Sequence, residues 1–322
     1  MKGAAVIGLG NIADRHRCNL KKLYPGIKIY AMSASGRSIN RQISDCDQLV
    51  NHIDELLHVV EMAIIASPAT LHAEHALPFM KAGIPVLIEK PVVASTSDAE
   101  KLLEASVQLD AVVAVGYCLR YLPSAIILKK ILEKEKAGAI FNAFIEIGQF
   151  LPDWRTSKNY KKSVSANKFL GGGALLELSH ELDYSRWFFG ELDVCHAIVR
   201  NSNTLNIDVE DIADIVAISK NKTIINIHLD FLQKKAVRKC CFLGTDGRVE
   251  WDLINNEVKI ISKSEEVIVY SEPKYDKNNM YIDMIRDFDN YIHARKNRCI
   301  KLADAVQTIK LVNQIKKNGS IK

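Results

Sequence analysis

The chain has 322 residues, more than a single hydrophobic core usually serves, so two domains are expected. Hydrophobic residues make up 48% and charged residues 25%, and a net charge of +5 is spread over both halves without an arginine-rich helix. This excludes nucleic acid as the expected main partner and leaves room for an anionic small substrate.

No apolar run approaches the roughly 20 residues of a membrane span, so no membrane partner is expected. The N-terminus reads directly as a strand with no signal-peptide pattern, which points to the cytoplasm. The seven cysteines are scattered with no Cys-x-x-Cys pair, as suits reduced thiols. His72-Ala-Glu-His75 lacks an accompanying ligand cluster, so no metal is expected.

The first element is an apolar strand ending at Gly8. It is followed by the turn Gly8-Leu-Gly10-Asn11-Ile12-Ala13 and a helix from Asn11 to about Tyr24. Strand, tight turn and helix in that order form a dinucleotide-binding pattern. Gly8 permits the turn, Gly10 lets backbone approach a pyrophosphate, and Ala13 keeps the helix close to the sheet. The helix N-terminus then faces the phosphates with its N–H groups and positive dipole end.

A second strand, Ile27 to Met32, ends in Ser33-Ala-Ser35-Gly-Arg37-Ser38. An NAD site commonly has a carboxylate about 20 residues past the glycines. Here none appears until Asp45, and hydroxyls beside a guanidinium suit a ribose 2'-phosphate. NADP is therefore favoured, with NAD also possible.

A helix around Asp47 to Leu57 is expected next, then a third strand, Met62 to Ala66, ending in Ser67-Pro68-Ala69-Thr70. Thr70 is positioned to cap a helix to about Ala82. A fourth strand, Val86 to Ile88, runs into Glu89-Lys90-Pro91. A helix from Thr96 to Leu109 and a strand from Ala111 to Val115 follow. Alternation of this kind implies right-handed crossovers and a doubly wound parallel sheet. Ligands of such sheets lie at the strands' carboxyl ends, which gathers Gly8–Ala13, Ser67–His72, Glu89–Pro91 and Gly116–Arg120 at one cleft. Candidate cofactor contacts are thus Gly8, Gly10, Asn11, Ile12, Ala13, Ser33, Ser35, Arg37, Ser38, Ser67, Pro68, His72, Glu89 and Lys90.

Further on, a helix from Tyr121 to Lys136 and a strand from Ala139 to Phe150 precede a polar segment, Pro152 to Lys168, with Trp154, Arg155 and Tyr160. A segment of this length inside a compact domain suggests a binding loop. Lys158, Lys161, Lys162 and Lys168 could attract a carboxylate or phosphate on a substrate. Gly171-Gly172-Gly173 forms a flexible lead into a helix reaching about Phe189. On it Glu177, His180 and Asp183 are spaced by three and share a face. A carboxylate beside a histidine orients it for proton transfer near neutral pH.

Strand-like runs then recur at Val194–Arg200, Ile212–Ser219, Thr223–Phe231, Val237–Leu243, Gly247–Trp251, Glu257–Ile261 and Glu266–Tyr270. Thr245-Asp246-Gly247 reads as a hairpin turn. They imply a largely antiparallel sheet with one face on helices and the other open to a partner. Helices from Asn279 to Ala294 and Leu302 to Lys316 finish the chain, with Lys316, Lys317 and Lys322 as a solvated tail. The fold class is thus α/β plus α+β: a dinucleotide-binding domain at 1–119 and a substrate-binding and oligomerisation domain at 120–322.

The Gly-Leu-Gly-Asn-Ile-Ala opening, Ser67-Pro68-Ala69-Thr70-Leu71-His72, Glu89-Lys90-Pro91 and Gly116-Tyr117-Cys118-Leu119-Arg120-Tyr121-Leu122-Pro123 occur in the order and spacing of the Gfo/Idh/MocA oxidoreductases. The chain resembles that family over nearly its whole length. The resemblance implies a nicotinamide-dependent enzyme acting on sugars, polyols or their derivatives, with Lys90 near both the nicotinamide ribose and the reacting hydroxyl. Many members carry an aspartate four residues before the histidine that matches His180; here that position is Leu176, and Glu177 is the nearest carboxylate.

The catalytic candidates are accordingly Lys90, His180 and Asp183. The substrate candidates are Tyr117, Arg120, Trp154, Arg155, Tyr160, Glu177 and His180. The substrate class is a sugar, nucleotide sugar or sugar acid, and Leu-Ser-His-Glu-Leu-Asp-Tyr resembles a subset from bacterial surface-sugar and nonulosonate pathways. This reading has Lys90 and His180 meet over one nicotinamide ring, in a homodimer or homotetramer built through the C-terminal sheet. A nicotinamide-dependent glycosidase and a non-catalytic dinucleotide sensor remain as alternatives.

Overall fold

A computed structural model describes residues 1–155 and 159–321. The chain divides into two units, Met1–Cys118 with Asn278–Ile309, and Leu119–Lys277 with the residues from Lys310 onward.

The first unit is built on six strands: β1 (Gly3–Ile7), β2 (Lys28–Met32), β3 (Gln48–Val50), β4 (Met62–Ile65), β5 (Val86–Glu89) and β6 (Val113–Gly116). They pair in parallel in the order β3-β2-β1-β4-β5-β6. The order reverses beside β1, and that reversal opens the crevice in which such sheets bind dinucleotides. Residues of β1, β4, β5 and β6 are all buried, as continuous apolar strands covered on both faces must be. The helices are α1 (Asn11–Leu23), α2 (His72–Lys81) and α3 (Thr96–Gln108).

The stretch around Asp47–Leu57, expected as a helix, instead forms β3 followed by a single turn at Ile53–Glu55. Asp47 explains the difference. Its carboxylate accepts from the Ile29 backbone N–H at 2.7 Å and from Lys21 at 2.6 Å, which fastens the segment alongside β2. The backbone hydrogen bond from Ile29, with the Lys21 contact, holds this carboxyl below the usual range. Thr70 lies within a short turn at Ala69–Leu71, so α2 begins two residues after it without a side-chain cap.

The second unit carries α4 (Pro123–Glu133), β7 (Ile140–Gly148), α5 (Ala174–Glu177), α6 (His180–Phe189), β8 (Leu192–Arg200), β9 (Ile212–Ser219) and β10 (Ile224–Asp230). It continues with β11 (Val237–Gly244), β12 (Gly247–Asp252), β13 (Glu257–Ile261) and β14 (Glu266–Ser271). After α7 (Asn278–Ile292) and α8 (Leu302–Asn318), the short β15 (Gly319–Ile321) returns to this sheet. The nine strands lie in the order β14-β13-β12-β11-β7-β10-β9-β8-β15, antiparallel except for β7 with β10 and β8 with β15. Lys316 and Lys317, read as part of a solvated tail, occupy the last turn of α8, and Gly319–Ile321 pairs with β8, while Lys322 lies outside the described residues.

One face of this sheet packs on α4 and α6. The Trp251 indole donates to Ser124 Oγ at 2.8 Å, and Tyr184 and Phe188 meet Trp251 edge-on at 5.2 and 5.9 Å. The other face presents Phe144 and Ile198, 46% and 38% exposed, beside a cavity of about 770 Å³. His228 lies there between two carboxylates, with Nδ1 2.6 Å from Asp214 and Nε2 3.0 Å from Asp230.

The hydrogen bond to Asp230, reinforced by Asp214 and opposed by burial, pushes the His228 pKa up to about 9 from an ordinary 6.5. A raised folded-state pKa gives stability that is complete below 6.5 and is lost as the pH climbs through about 9. In unfolding scans, His228→Ala should cost on the order of 1 kcal/mol at neutral pH after solvent screening. The deficit should vanish above about pH 9.5, and a pH-independent deficit would rule out the charge as its source.

The sequence reading assigns all of 120–322 to the second domain, whereas Asn278–Ile309, which holds α7 and the start of α8, groups with the first unit. The reason is side-chain pairing with α1. Asn19 and Asn278 exchange amide hydrogen bonds at 3.1 and 2.8 Å, and the Arg15 guanidinium lies 4.5 Å over the Tyr281 ring. Val115 also donates its backbone N–H to the Ile300 carbonyl at 2.9 Å.

Candidate active site

In the first unit, the turn between β1 and α1 shows why its glycines are needed. Gly8 has φ +118°, and a Cβ there would stand 2.4 Å from the Ala66 carbonyl oxygen. Gly10 caps α1 with no side-chain hydrogen bond to the first turn, and a Cβ on it would meet nothing within 4 Å. The open space and the uncapped N–H groups form a cradle that fits a pyrophosphate. Ala13 is fully buried, while Asn11 is exposed and Ile12 half-buried at the mouth of the turn.

After β2, Ser33 is buried. Its hydroxyl donates to the Arg37 carbonyl at 3.2 Å, and its own carbonyl accepts from Gly36 at 3.0 Å. This tight turn leaves Ser35, Arg37 and Ser38 exposed.

Ser67 and Pro68 follow β4, and the Ser67 hydroxyl lies 2.9 Å from His75 Nδ1. His72 is 1% exposed, with Nε2 2.8 Å from the Ser67 carbonyl and Nδ1 3.0 and 3.1 Å from those of Pro91 and Val92. Burial pushes its pKa down, against the opposing pull of these carbonyls and of Glu89. Lying between these backbone carbonyls, His72 ties the Ser67 loop to the Glu-Lys-Pro loop.

Glu89 ends β5 as a buried residue. Its Oε1 lies 2.6 Å from His16 Nε2, and its Oε2 accepts from the Lys90 backbone N–H at 3.2 Å. Lys90 is half-buried and joined to Pro91 by a cis peptide bond. Tyr117, after β6, is fully buried. The sequence reading missed His16. The available signal was a histidine three residues past Ala13, on the face of the dinucleotide helix that turns toward the sheet.

In the second unit, the helix expected over 174–189 is interrupted at Leu178 and Ser179, so Glu177 ends α5 and His180 begins α6. The shared face therefore holds for His180 and Asp183 but does not run unbroken to Glu177. His180 is 9% exposed and Glu177 half-buried. Asp183 is engaged on both oxygens by Arg120, with Nε to Oδ2 at 2.9 Å and Nη2 to Oδ1 at 2.6 Å. The Arg120 guanidinium also lies 5.6 Å over Trp187.

The glycines before α5 are closely packed where a flexible lead was expected. Gly173 has φ +109°, and a Cβ there would fall 2.5 Å from the Glu210 carboxylate, which accepts from the Leu175 N–H. Glu210, a second residue absent from the sequence reading, thus caps α5.

In the preceding loop Trp154 meets Phe231 edge-on at 5.3 Å, and the Tyr160 hydroxyl donates to the Leu205 carbonyl at 3.0 Å. Both border a cavity of about 410 Å³ with Leu151, Asn159 and Lys162. Lys161, Lys162 and Lys168 are exposed, whereas the Arg155 side chain and Lys158 lie outside the described residues.

Residues 2–117 match the model of the oxidoreductase family with an NAD-binding Rossmann fold, and residues 126–250 match the GFO/IDH/MocA C-terminal domain. The chain belongs to the Gfo/Idh/MocA oxidoreductase family.

Within this family it is 28% identical to glucose-6-phosphate 3-dehydrogenase of Bacillus subtilis over 251 residues, 70% of this chain and 67% of that one. Alignments with other curated relatives span about half of their length. Among solved structures, levoglucosan dehydrogenase in complex with NADH superposes with a TM-score of 0.85 at 17% identity, covering 99% of this chain and 98% of that one. A 3-ketoreductase from Actinomadura kijaniata, solved with NADP, gives 0.82 at 18% identity over 99% and 98%. At such identities these two structures establish the shared fold. A Gfo/Idh/MocA member with this dinucleotide turn is a nicotinamide-binding oxidoreductase. Among the described residues no helix is long and apolar enough to cross a membrane.

Proposed function

We propose that this enzyme transfers hydride between NADP(H) and a hydroxyl- or carbonyl-bearing carbon of a sugar, nucleotide sugar or related sugar acid. Bound nicotinamide supplies the hydride acceptor or donor. This chain's residues orient the carbinol and handle its proton, which Lys90 Nζ takes from or returns to the substrate oxygen, with His180 as the second proton-handling group. The observation that carries the reading is Lys90 at the carboxyl end of β5, in the parallel sheet that holds the Gly8–Ala13 turn. The sugar class is supported by the relatives named for glucose 6-phosphate, levoglucosan and 3-keto chemistry. A panel of sugar phosphates, nucleotide sugars and sugar acids, followed by NADPH absorbance, tests it. No turnover across the panel with bound cofactor would favour a non-catalytic dinucleotide sensor.

NADP is preferred because the turn after β2 exposes Ser35, Arg37 and Ser38 and carries no carboxylate before Asp45. Arg37→Ala should weaken NADPH by about tenfold or more and NADH by less than about twofold, since only NADPH has the charge that arginine recognises. Equal losses in a fluorescence titration would remove the case for 2'-phosphate recognition.

The open face of the nine-stranded sheet is assigned to a second copy of this chain. It combines the exposed rings and aliphatics near Phe144 and Ile198 with charges already paired within the face, such as Lys239 with Glu146 at 3.2 Å. Light scattering that finds only monomer at micromolar concentration would overturn the assignment.

A further inference from the structure

We infer that His16 and Glu89 are positioning residues for Lys90, coupling the dinucleotide helix to the catalytic loop. The inference rests on the reading that Lys90 performs the proton transfer.

His16 is fully buried on α1, and Glu89 is 6% exposed at the end of β5, 73 residues away in sequence. His16 Nε2 approaches Glu89 Oε1 at 2.6 Å, and its Nδ1 has no hydrogen-bond partner among the described residues. The proton between the two groups therefore belongs on Nε2, with the carboxylate oxygen accepting it. The second oxygen of Glu89 accepts from the Lys90 backbone N–H at 3.2 Å. One carboxylate thus bridges the helix and the peptide from which the Lys90 side chain departs.

The surroundings leave this bridge little room to move. Behind Glu89, Gly116 is so close that a Cβ on it would stand 3.1 Å from the carboxylate. Beside His16, the Tyr281 ring lies edge-on at 6.2 Å, pinned by the Arg15 guanidinium 4.5 Å above its face. The neighbouring Cys118 thiol, which would repel a second negative charge once ionised, and the ring's burial hold the Tyr281 phenol pKa well above its ordinary value.

A carboxylate held on both oxygens has one rotamer, and that rotamer fixes the direction of the Lys90 N–H and hence the start of its side chain. The same α1 carries the uncapped N-terminus of the phosphate cradle. A shift of the helix on cofactor binding would therefore be felt one residue from the lysine. Groups that support a reactive side chain in this way set its geometry without touching the substrate.

The test reads Lys90 directly and needs no substrate. Reductive methylation by formaldehyde and cyanoborohydride, resolved residue by residue by mass spectrometry, gives the labelling rate of the Lys90 amine against pH. It is run on the full chain with and without NADPH. In wild type, NADPH should change that rate by about threefold or more, as expected for an ordered amine beside bound cofactor. His16→Ala should remove the NADPH response, with the affinity for NADPH within about twofold of wild type. His16→Gln, which can place an amide N–H near the position of Nε2, should restore it, and Glu89→Gln should resemble His16→Ala.

The proposal is overturned if His16→Ala keeps the wild-type labelling profile, or if the glutamine variant fails to rescue while both fold with wild-type NADPH affinity. Failure of the underlying reading appears elsewhere, as turnover that survives the loss of the Lys90 amine.

Discussion

Replacing Lys90 with methionine should lower turnover by about 10²–10⁴-fold while leaving NADPH affinity within about twofold. Methionine keeps an unbranched stem of similar length and removes the group that exchanges a proton with the substrate hydroxyl. The contact between Glu89 and residue 90 uses a backbone N–H, so it survives the substitution and the loop should keep its course. Single-turnover absorbance with the best substrate of the panel, together with a fluorescence titration of NADPH, separates chemistry from binding. Wild-type turnover in the variant would reject the assignment of Lys90 and with it the proposed chemistry.

The second large effect concerns stability. Asp183 is 1% exposed and receives two hydrogen bonds from Arg120, whose side chain is 11% exposed. Asp183→Ala removes one half of this ion pair from a poorly hydrated place, a loss of about 3–5 kcal/mol. In a chain of this size that lowers the melting temperature on the order of 10 °C. Replacing both partners by apolar residues, Arg120→Met with Asp183→Leu, should recover much of the loss, because the two charges of the pair then leave together. If Asp183→Ala melts like wild type but loses turnover, the carboxylate serves the chemistry and the ion pair contributes little to stability.

The parallel sheet was legible because its strands are uninterrupted apolar runs punctuated by Gly8, Pro68, Gly83 and Pro91. Most second-unit strands were legible from short apolar runs separated by turn residues, down to the Thr245-Asp246 hairpin. What sequence pattern misjudged were places decided by a distant partner. Asp47 turns an anticipated helix into a strand through Ile29 and Lys21, and Glu210 caps a helix that begins 36 residues before it. The grouping of α7 with the first unit depends on Asn19 and Arg15, more than 250 residues upstream. Among the candidate site residues, Gly8, Gly10 and Lys90 were proposed from local motifs. The pairing of Glu89 with His16, and of Asp183 with Arg120, joins positions 73 and 63 apart, a separation at which helical and strand periodicity carry no information.

The outermost strand of the large sheet has a consequence for handling the protein. β15 lies alongside β8 at one margin, but at the other margin β14 presents Val267, Ile268 and Val269, 40%, 55% and 38% exposed. An apolar strand at the margin of a sheet is a template on which stray chains can add. Lys263, Glu265 and Glu266 stand at its start as gatekeepers, and Glu266 is tethered to Lys259 on the neighbouring strand at 2.7 Å. The colloidal behaviour of the folded chain is thus guarded by a few charges far in sequence from Lys90, to which the proposed chemistry is assigned.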